Sequence, residues 1–300
     1  MKHRPAPLNS GDTIAIVAPA KAIGENLVNA AKMFFEKAGF HVLIGPNTCG
    51  RHHYFSGTEA ERLHDFQWAL DHPEVKAIVC ARGGYGCIQL VDRIQWAGQI
   101  KTPLWIVGFS DVTVFHQRMQ RHGIPSIHGT MPLNFPENSE EALSTLLSAM
   151  SGIPYRITGS ASKWNIAGTA SGKLVGGNLS ILYSLLGTDD QIDFSDTILF
   201  IEDLSEPIYH IDRIFFAFSK AGILDEIKGL IIGGMTGIKD TGVPFGKTLE
   251  EVILSHFEFG RNIPIAFDFP AGHVDDNQAL ILGSMAEFSV SKIGSTLSFN

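Results

Sequence analysis

An apolar run that breaks off at a serine constrains this chain more than any other feature. In Lys101-Thr-Pro-Leu-Trp-Ile-Val-Gly-Phe-Ser-Asp-Val-Thr113, Leu104 to Val107 has the unbroken apolarity of a buried strand, bounded by Pro103 and Gly108. From Asp111 to Gln120 the spacing becomes that of a helix. Ser110 therefore stands where a strand turns sharply into a helix. Such a turn holds a hydroxyl above the carboxyl end of a sheet, with helix N-terminal amides beside it to receive a developing oxyanion. The pattern departs from a G-x-S-x-G elbow, because Val112 occupies the place of the second glycine. A serine here can also serve simply as a helix cap.

The rest of the first half repeats the same unit. Thr13–Pro19 reads as a strand, 27–38 as an amphipathic helix stopped by Gly39, and Phe40–Ile44 as a strand. Glu59–Leu70 reads as a helix with Thr58 as N-cap and Glu61 completing a capping box. Val75–Ala81 is a strand, Gly86–Ile94 a helix and Leu104–Val107 the strand before Ser110. Alternation at this spacing implies a parallel sheet with helices on both faces, whose ligands collect outside the carboxyl ends of the strands. Arg82-Gly-Gly-Tyr-Gly86 and Gly108-Phe-Ser-Asp111 both fall at such ends.

Between Met150 and Ala170 the sequence becomes turn-rich and weakly periodic, as in Thr158-Gly-Ser-Ala-Ser162. The expected organisation is a nucleophile-bearing α/β domain over 1–150, a linker over 151–165 and a C-terminal domain over 166–300. The later half is richer in glycine and in β character. A helical stretch ends near Leu186, strands are expected at Thr197–Ile201, Leu230–Gly233 and Ile263–Phe269, and Leu280–Leu282 with Glu287–Val290 resembles a terminal hairpin. The fold class is α/β, a parallel-sheet domain with flanking helices followed by a smaller, more β-rich domain.

Composition narrows the partners. A net charge of −8 argues against nucleic acid, which selects a basic face. No stretch approaches the ~20 apolar residues of a membrane span, and the first apolar run, Ile14–Ala18, is too short for a secretory segment. A cytoplasmic protein is expected. Cys49, Cys80 and Cys87 have neither the spacing of a disulfide framework nor that of a C-x-x-C site, and His52-His53 lacks a metal-ligand pattern.

The glycines of Arg82-Gly83-Gly84-Tyr85-Gly86 let backbone N–H groups approach a ligand. A phosphate cradle is disfavoured, since Gln89 stands where G-x-G-x-x-G needs a third glycine. A donor loop for an oxyanion and an ordinary tight turn both remain. Glu202-Asp203 ends the strand at Thr197–Ile201, where a carboxylate can orient a histidine. His273 sits in a polar loop after an apolar strand, His128 has similar surroundings and His116 lies in the helix after Ser110. Spacing alone does not choose among the three.

Taken in order, Arg82-Gly-Gly-Tyr-Gly, Gly108-Phe-Ser-Asp-Val-Thr, Gly176-Gly-Asn-Leu, Ile201-Glu-Asp…Glu206-Pro…Tyr209-His-Ile-Asp-Arg213 and Gly272-His273 resemble the LD-carboxypeptidases. These serine peptidases trim murein tetrapeptides, and the microcin immunity peptidases are their relatives. The resemblance implies Ser110 as nucleophile, Glu202 as orienting acid and His273 as general base. It implies oxyanion donors at the N–H of Asp111 and of Gly83 or Gly84, with no metal or organic cofactor. A homodimer acting on a small peptide is expected, with no nucleic acid or membrane partner. Because a murein peptide carries carboxylates, a basic anchor is expected near the triad, with Arg82 and Arg213 as candidates. Cys87-Ile-Gln-Leu departs from the family pattern, in which an arginine often follows the glycine loop. Two other readings are kept: the same triad acting on peptidyl- or aminoacyl-nucleotides, and a non-catalytic two-domain ligand-binding module.

Overall fold

Thirteen strands are present among the described residues: β1 (Thr13–Val17), β2 (His41–Ile44), β3 (Val75–Cys80), β4 (Trp105–Gly108), β5 (Ser126–His128), β6 (Arg156–Gly159), β7 (Gly168–Asn178), β8 (Thr197–Leu204), β9 (Gly229–Thr236), β10 (Ile265–Ala266), β11 (Leu280–Leu282), β12 (Met285–Ser291) and β13 (Gly294–Phe299). The structure is a computed structural model and describes residues 4–257 and 262–299. The chain packs as two units, one built from residues up to Ile153 with Asp275–Gly283, the other from Pro154–Val274 with the chain from Ser284 onward.

In the first unit the strand order is β11-β5-β4-β3-β1-β2, with β1 to β5 parallel and β11 antiparallel at the edge. Every residue of β1 is buried, as a strand covered on both faces requires. The helix Glu25–Lys37 buries Val28, Ala31 and Phe35, one stripe at helical spacing. The helix Glu59–Asp71 starts at the expected capping box: the Thr58 N–H donates to Glu61 Oε2 at 2.8 Å, and the Glu61 N–H to Thr58 Oγ1 at 3.3 Å. The helix expected over Gly86–Ile94 is shortened to Cys87–Leu90. The Val91 carbonyl, which would continue it, instead accepts from Trp96 Nε1 at 2.8 Å and Arg118 Nη1 at 3.2 Å.

In the second unit the order is β10-β9-β8-β7-β12-β13-β6. β7 is the hinge of this sheet's pattern. Gly168 to Lys173 pair antiparallel with β12, and Lys173 to Asn178 pair parallel with β8. The helix Ile208–Lys220 turns Ile211, Ile214, Phe215 and Phe218 into an apolar cluster with Leu199, Ile201, Leu230 and Ile232.

Three further expectations change. The terminal hairpin is formed by β12 and β13, whereas β11 pairs with β5 in the other sheet. Gly283, at φ +84, turns the chain between β11 and β12, so their adjacency in sequence is not a pairing. The strand expected over Ile263–Phe269 shrinks to Ile265–Ala266, because Pro264 brings no N–H and Asp268 leaves extended geometry at φ +55. Residues 151–165, read as a linker, contain β6, which pairs with β13. Among the described residues no helix is long and apolar enough to cross a membrane.

Candidate active site

Ser110 follows β4 at φ +63, left-handed geometry that is unusual for a residue with a side chain and costs about 1–3 kcal/mol. A short 3-10 turn, Ser110–Val112, then opens the helix Thr113–Arg121. Beneath this turn His116 is fully buried. Its Nε2 lies 2.8 Å from the Gly108 carbonyl and its Nδ1 2.8 Å from the Ser126 hydroxyl. A carbonyl only accepts, so Nε2 carries the proton and Nδ1 accepts from Ser126. Burial drives the His116 pKa down to about 4, with the Gly108 carbonyl opposing in part. His116 is a neutral strut.

The residue after the serine fastens a second loop. Asp111 is buried, and its Oδ2 accepts from the Cys87 N–H at 2.8 Å. Burial raises the Asp111 pKa, although the hydrogen bonds from Cys87 and the nearby Arg62 charge pull the other way. Arg62, itself buried, donates through Nη1 to the carbonyls of Pro19 (2.7 Å) and Gly86 (3.3 Å) and through Nη2 to Gln89 Oε1 (2.7 Å). The far end of the loop after β3 is thus clamped twice, at the Cys87 N–H by the serine turn and at the Gly86 carbonyl by Arg62. Gly83 lies directly against the Ser110 turn: a Cβ there would meet Ser110 Cβ at 3.0 Å and Oγ at 3.1 Å. Gly84 faces elsewhere, toward Tyr54 and Lys21.

In the second unit Glu202 lies on β8 with no solvent exposure, and its Oε2 is 2.5 Å from His273 Nδ1. The loop bearing His273 approaches so closely that a Cβ on Gly272, at φ +101, would fall 2.6 Å from Glu202 Cβ. The His273 carbonyl accepts from Thr236 Oγ1 at 2.6 Å. Burial opposes charging of His273, but the Glu202 charge and hydrogen bond, with help from Asp203, outweigh it and raise its pKa. Nδ1–H donates to the carboxylate, leaving Nε2 as the basic nitrogen.

Asp203, next along β8, is engaged by other groups than His273. It accepts from Asn178 Nδ2 (3.0 Å), the Ser180 N–H (2.9 Å) and Ser180 Oγ (2.7 Å). Its role is to hold Gly176-Gly-Asn178 and the start of the helix Leu179–Ser184, and burial raises its pKa. His128 is buried in β5, its ring 5.7 Å from Phe109. Arg82 gives one N–H to the Ala22 carbonyl at 3.0 Å, and Arg213 is exposed over the Tyr209 ring at 5.4 Å. Among the described residues no group of three or more His, Cys, Asp or Glu is arranged to hold a metal ion. Lys21 belongs to no sequence motif; its one signal is its place just beyond the first strand.

Residues 14–129 match the LD-carboxypeptidase N-terminal domain and residues 171–288 the LD-carboxypeptidase C-terminal domain. The chain belongs to the LD-carboxypeptidase family and is a serine-type carboxypeptidase. The murein tetrapeptide carboxypeptidase of Pseudomonas aeruginosa is 30% identical over 288 residues, covering 91% of this chain and 92% of that one. The microcin C7 self-immunity protein MccF of Escherichia coli is 25% identical over 314 residues, covering 93% and 90%. The crystal structure of muramoyltetrapeptide carboxypeptidase from Oxalobacter formigenes superposes with a TM-score of 0.87 at 28% identity, over 96% of this chain and 98% of that one.

Proposed function

We propose that this carboxypeptidase is a cytoplasmic, homodimeric L,D-carboxypeptidase that releases terminal D-alanine from murein tetrapeptide, using Ser110, His273 and Glu202 as its triad. The observation that carries the reading is the buried Glu202 carboxylate 2.5 Å from His273 Nδ1. A carboxylate removed from water and bonded to Nδ1 fixes the tautomer that a general base needs, and stabilises the imidazolium that forms. Ser110 at φ +63 after β4 supports its part as nucleophile.

His273 Nε2 takes the Ser110 proton as Oγ bonds to the scissile carbonyl carbon. The resulting oxyanion is received by the N–H groups of Asp111 and Gly83; the close approach of Gly83 to Ser110 favours it over Gly84. Collapse of the tetrahedral intermediate breaks the C–N bond, and the imidazolium gives its proton to the departing D-alanine nitrogen. Water then attacks the acyl-serine, loses a proton to His273, and the second collapse returns that proton to Oγ. The chain's own residues supply every proton-transfer and charge-stabilising group in this sequence.

A second reading follows from the relationship to MccF: the same groups cleaving a peptidyl- or aminoacyl-nucleotide. One assay separates the two. Synthetic murein tetrapeptide ending in D-alanine, its L-alanine epimer and an aminoacyl sulfamoyl nucleoside are incubated with the enzyme and followed by mass spectrometry. Release of D-alanine alone supports the proposal. Equal rates on both epimers, or turnover confined to the nucleoside, overturns it.

A further inference from the structure

The strand order β2-β1-β3-β4-β5 reverses its direction of growth between β1 and β3. In open parallel sheets the crevice outside the carboxyl ends at such a reversal is where ligands bind. Here the loop after β1 carries Lys21, and the loop after β3 carries Gly83 and Gly84. One of these glycines abuts Ser110. A Cβ on the other would lie 2.9 Å from Tyr54 Oη and 3.0 Å from Lys21 Cβ. The nucleophile and a lysine–tyrosine pair therefore flank two consecutive residues, whose Cα atoms are about 3.8 Å apart.

This pair is rigidly mounted and open to solvent. Segment 18–22 is zipped to segment 52–56 by Ser56 N–H to Ala20 O (3.1 Å), Ser56 Oγ to Ala18 O (2.5 Å) and Ala22 N–H to Tyr54 O (3.1 Å). Arg82 adds its bond to the Ala22 carbonyl. On this frame Tyr54 is 42% exposed, and Tyr85, in the loop after β3, is 49% exposed. Lys21 Nζ sits 4.9 Å from the Tyr54 ring centroid and forms no salt bridge among the described residues. An ammonium without a carboxylate partner, beside a solvent-facing phenol at a sheet's switch point, is built for an anion.

We propose that Lys21 and Tyr54 form the subsite for the terminal carboxylate of the peptide, so that they, rather than Arg82 or Arg213, read the end of the chain. This rests on the carboxypeptidase reading above. An enzyme that removes one terminal residue must recognise a carboxylate close to the scissile carbonyl, on the leaving-group side. Lys21 supplies the charge, Tyr54 Oη a hydroxyl donor, and Arg82 positions Lys21 by fixing the segment that carries it. Because the contact is made in both ground and transition states, its loss falls on KM.

The test is steady-state kinetics on the D-alanine tetrapeptide and on its terminal amide, with wild type, Lys21→Met, Lys21→Arg and Tyr54→Phe. A charge-assisted hydrogen bond is worth about 1.5–3 kcal/mol, roughly ten- to a hundredfold. Lys21→Met is expected to raise KM for the acid by about that factor, with kcat within about threefold, and to leave the amide unchanged. Lys21→Arg should keep most of the preference for the acid, and Tyr54→Phe should lose a smaller part. Equal loss on acid and amide, or no loss on either, overturns the assignment. If wild type turns over neither peptide, the carboxypeptidase reading fails on its own. Calorimetric binding of the two peptides to Ser110→Ala, with and without Lys21→Met, then decides the subsite: a selective loss of affinity for the acid upholds it, and parallel affinities overturn it.

Discussion

Glu202 Oε2 and His273 Nδ1 are 2.5 Å apart, and the carboxylate has no exposure to solvent. The pair fixes what pH should do. With its pKa raised, His273 is protonated at pH values where a free imidazole, near pH 6.5, would already be neutral. A protonated base cannot accept the serine proton. The acidic limb of kcat/KM should therefore lie above pH 6.5 in wild type and move downward in Glu202→Gln, measured across a buffer series at constant ionic strength. An unmoved limb would assign the titration to another group. For stability the sign is reversed. A raised folded-state pKa stabilises fully below about pH 6.5 and ceases to do so as pH rises through the raised value.

Ser110→Ala should fold and melt like wild type, or slightly higher if strain is relieved, and lose on the order of 10⁵–10⁶ in kcat. Glu202→Gln should lose less, about 10²–10⁴, because it orients the base without reacting. Single-turnover assays with a calorimetric scan of each variant check both. A well-folded, fully active Ser110→Ala would end the serine assignment.

Gly83→Ala separates catalysis from folding. Its Cβ would press on Ser110 Cβ and Oγ at 3.0 and 3.1 Å, displacing the turn and the amide beside it. Loss of one oxyanion donor costs about 10²–10³ in kcat. The expected outcome is a fall of at least that size with KM nearly unchanged, read from Michaelis–Menten curves. A fall in KM-governed affinity alone would place Gly83 outside the oxyanion site.

His116 should govern acid stability. Its pKa of about 4 means that the unfolded chain binds a proton between roughly pH 6.5 and 4 that the folded chain refuses. Stability contributed by the neutral ring is present above pH 6.5 and is lost as pH falls to 4, by about 3 kcal/mol at 1.36 kcal/mol per unit. Urea unfolding at pH 7 and pH 4.5 should show this loss in wild type and a smaller one in His116→Asn, which should remain active at pH 7.

Much of this was legible in the chain. The Thr58–Glu61 capping box and the alternating strands of the first unit depend on neighbours within a few residues, and such signals survive without tertiary context. Gly83 and Gly84 were indistinguishable, because what separates them is which loop each one meets. Sequence does not rank the three histidines for the same reason: the partner of His116 is a carbonyl eight residues back, and what favours His273 in the proposal is a carboxylate 71 residues away. Lys21 carried no motif at all. Its significance lies in strand order, which local sequence does not encode. Leu280–Leu282 reads as half of a hairpin because apolarity marks a strand without naming its partner, here β5.

That last strand bears on synthesis. β11 covers the edge of β5 in the first unit, yet it is translated only after His273, some 150 residues after β5. Until then the unit exposes the unpaired backbone groups of β5, a template for adventitious strand addition. A single cut after residue 153 cannot yield an intact half, since the N-terminal fragment lacks its closing strand. The unit begun first is therefore completed only after most of the second has been made, and in the interval its open edge favours aggregation of the nascent chain.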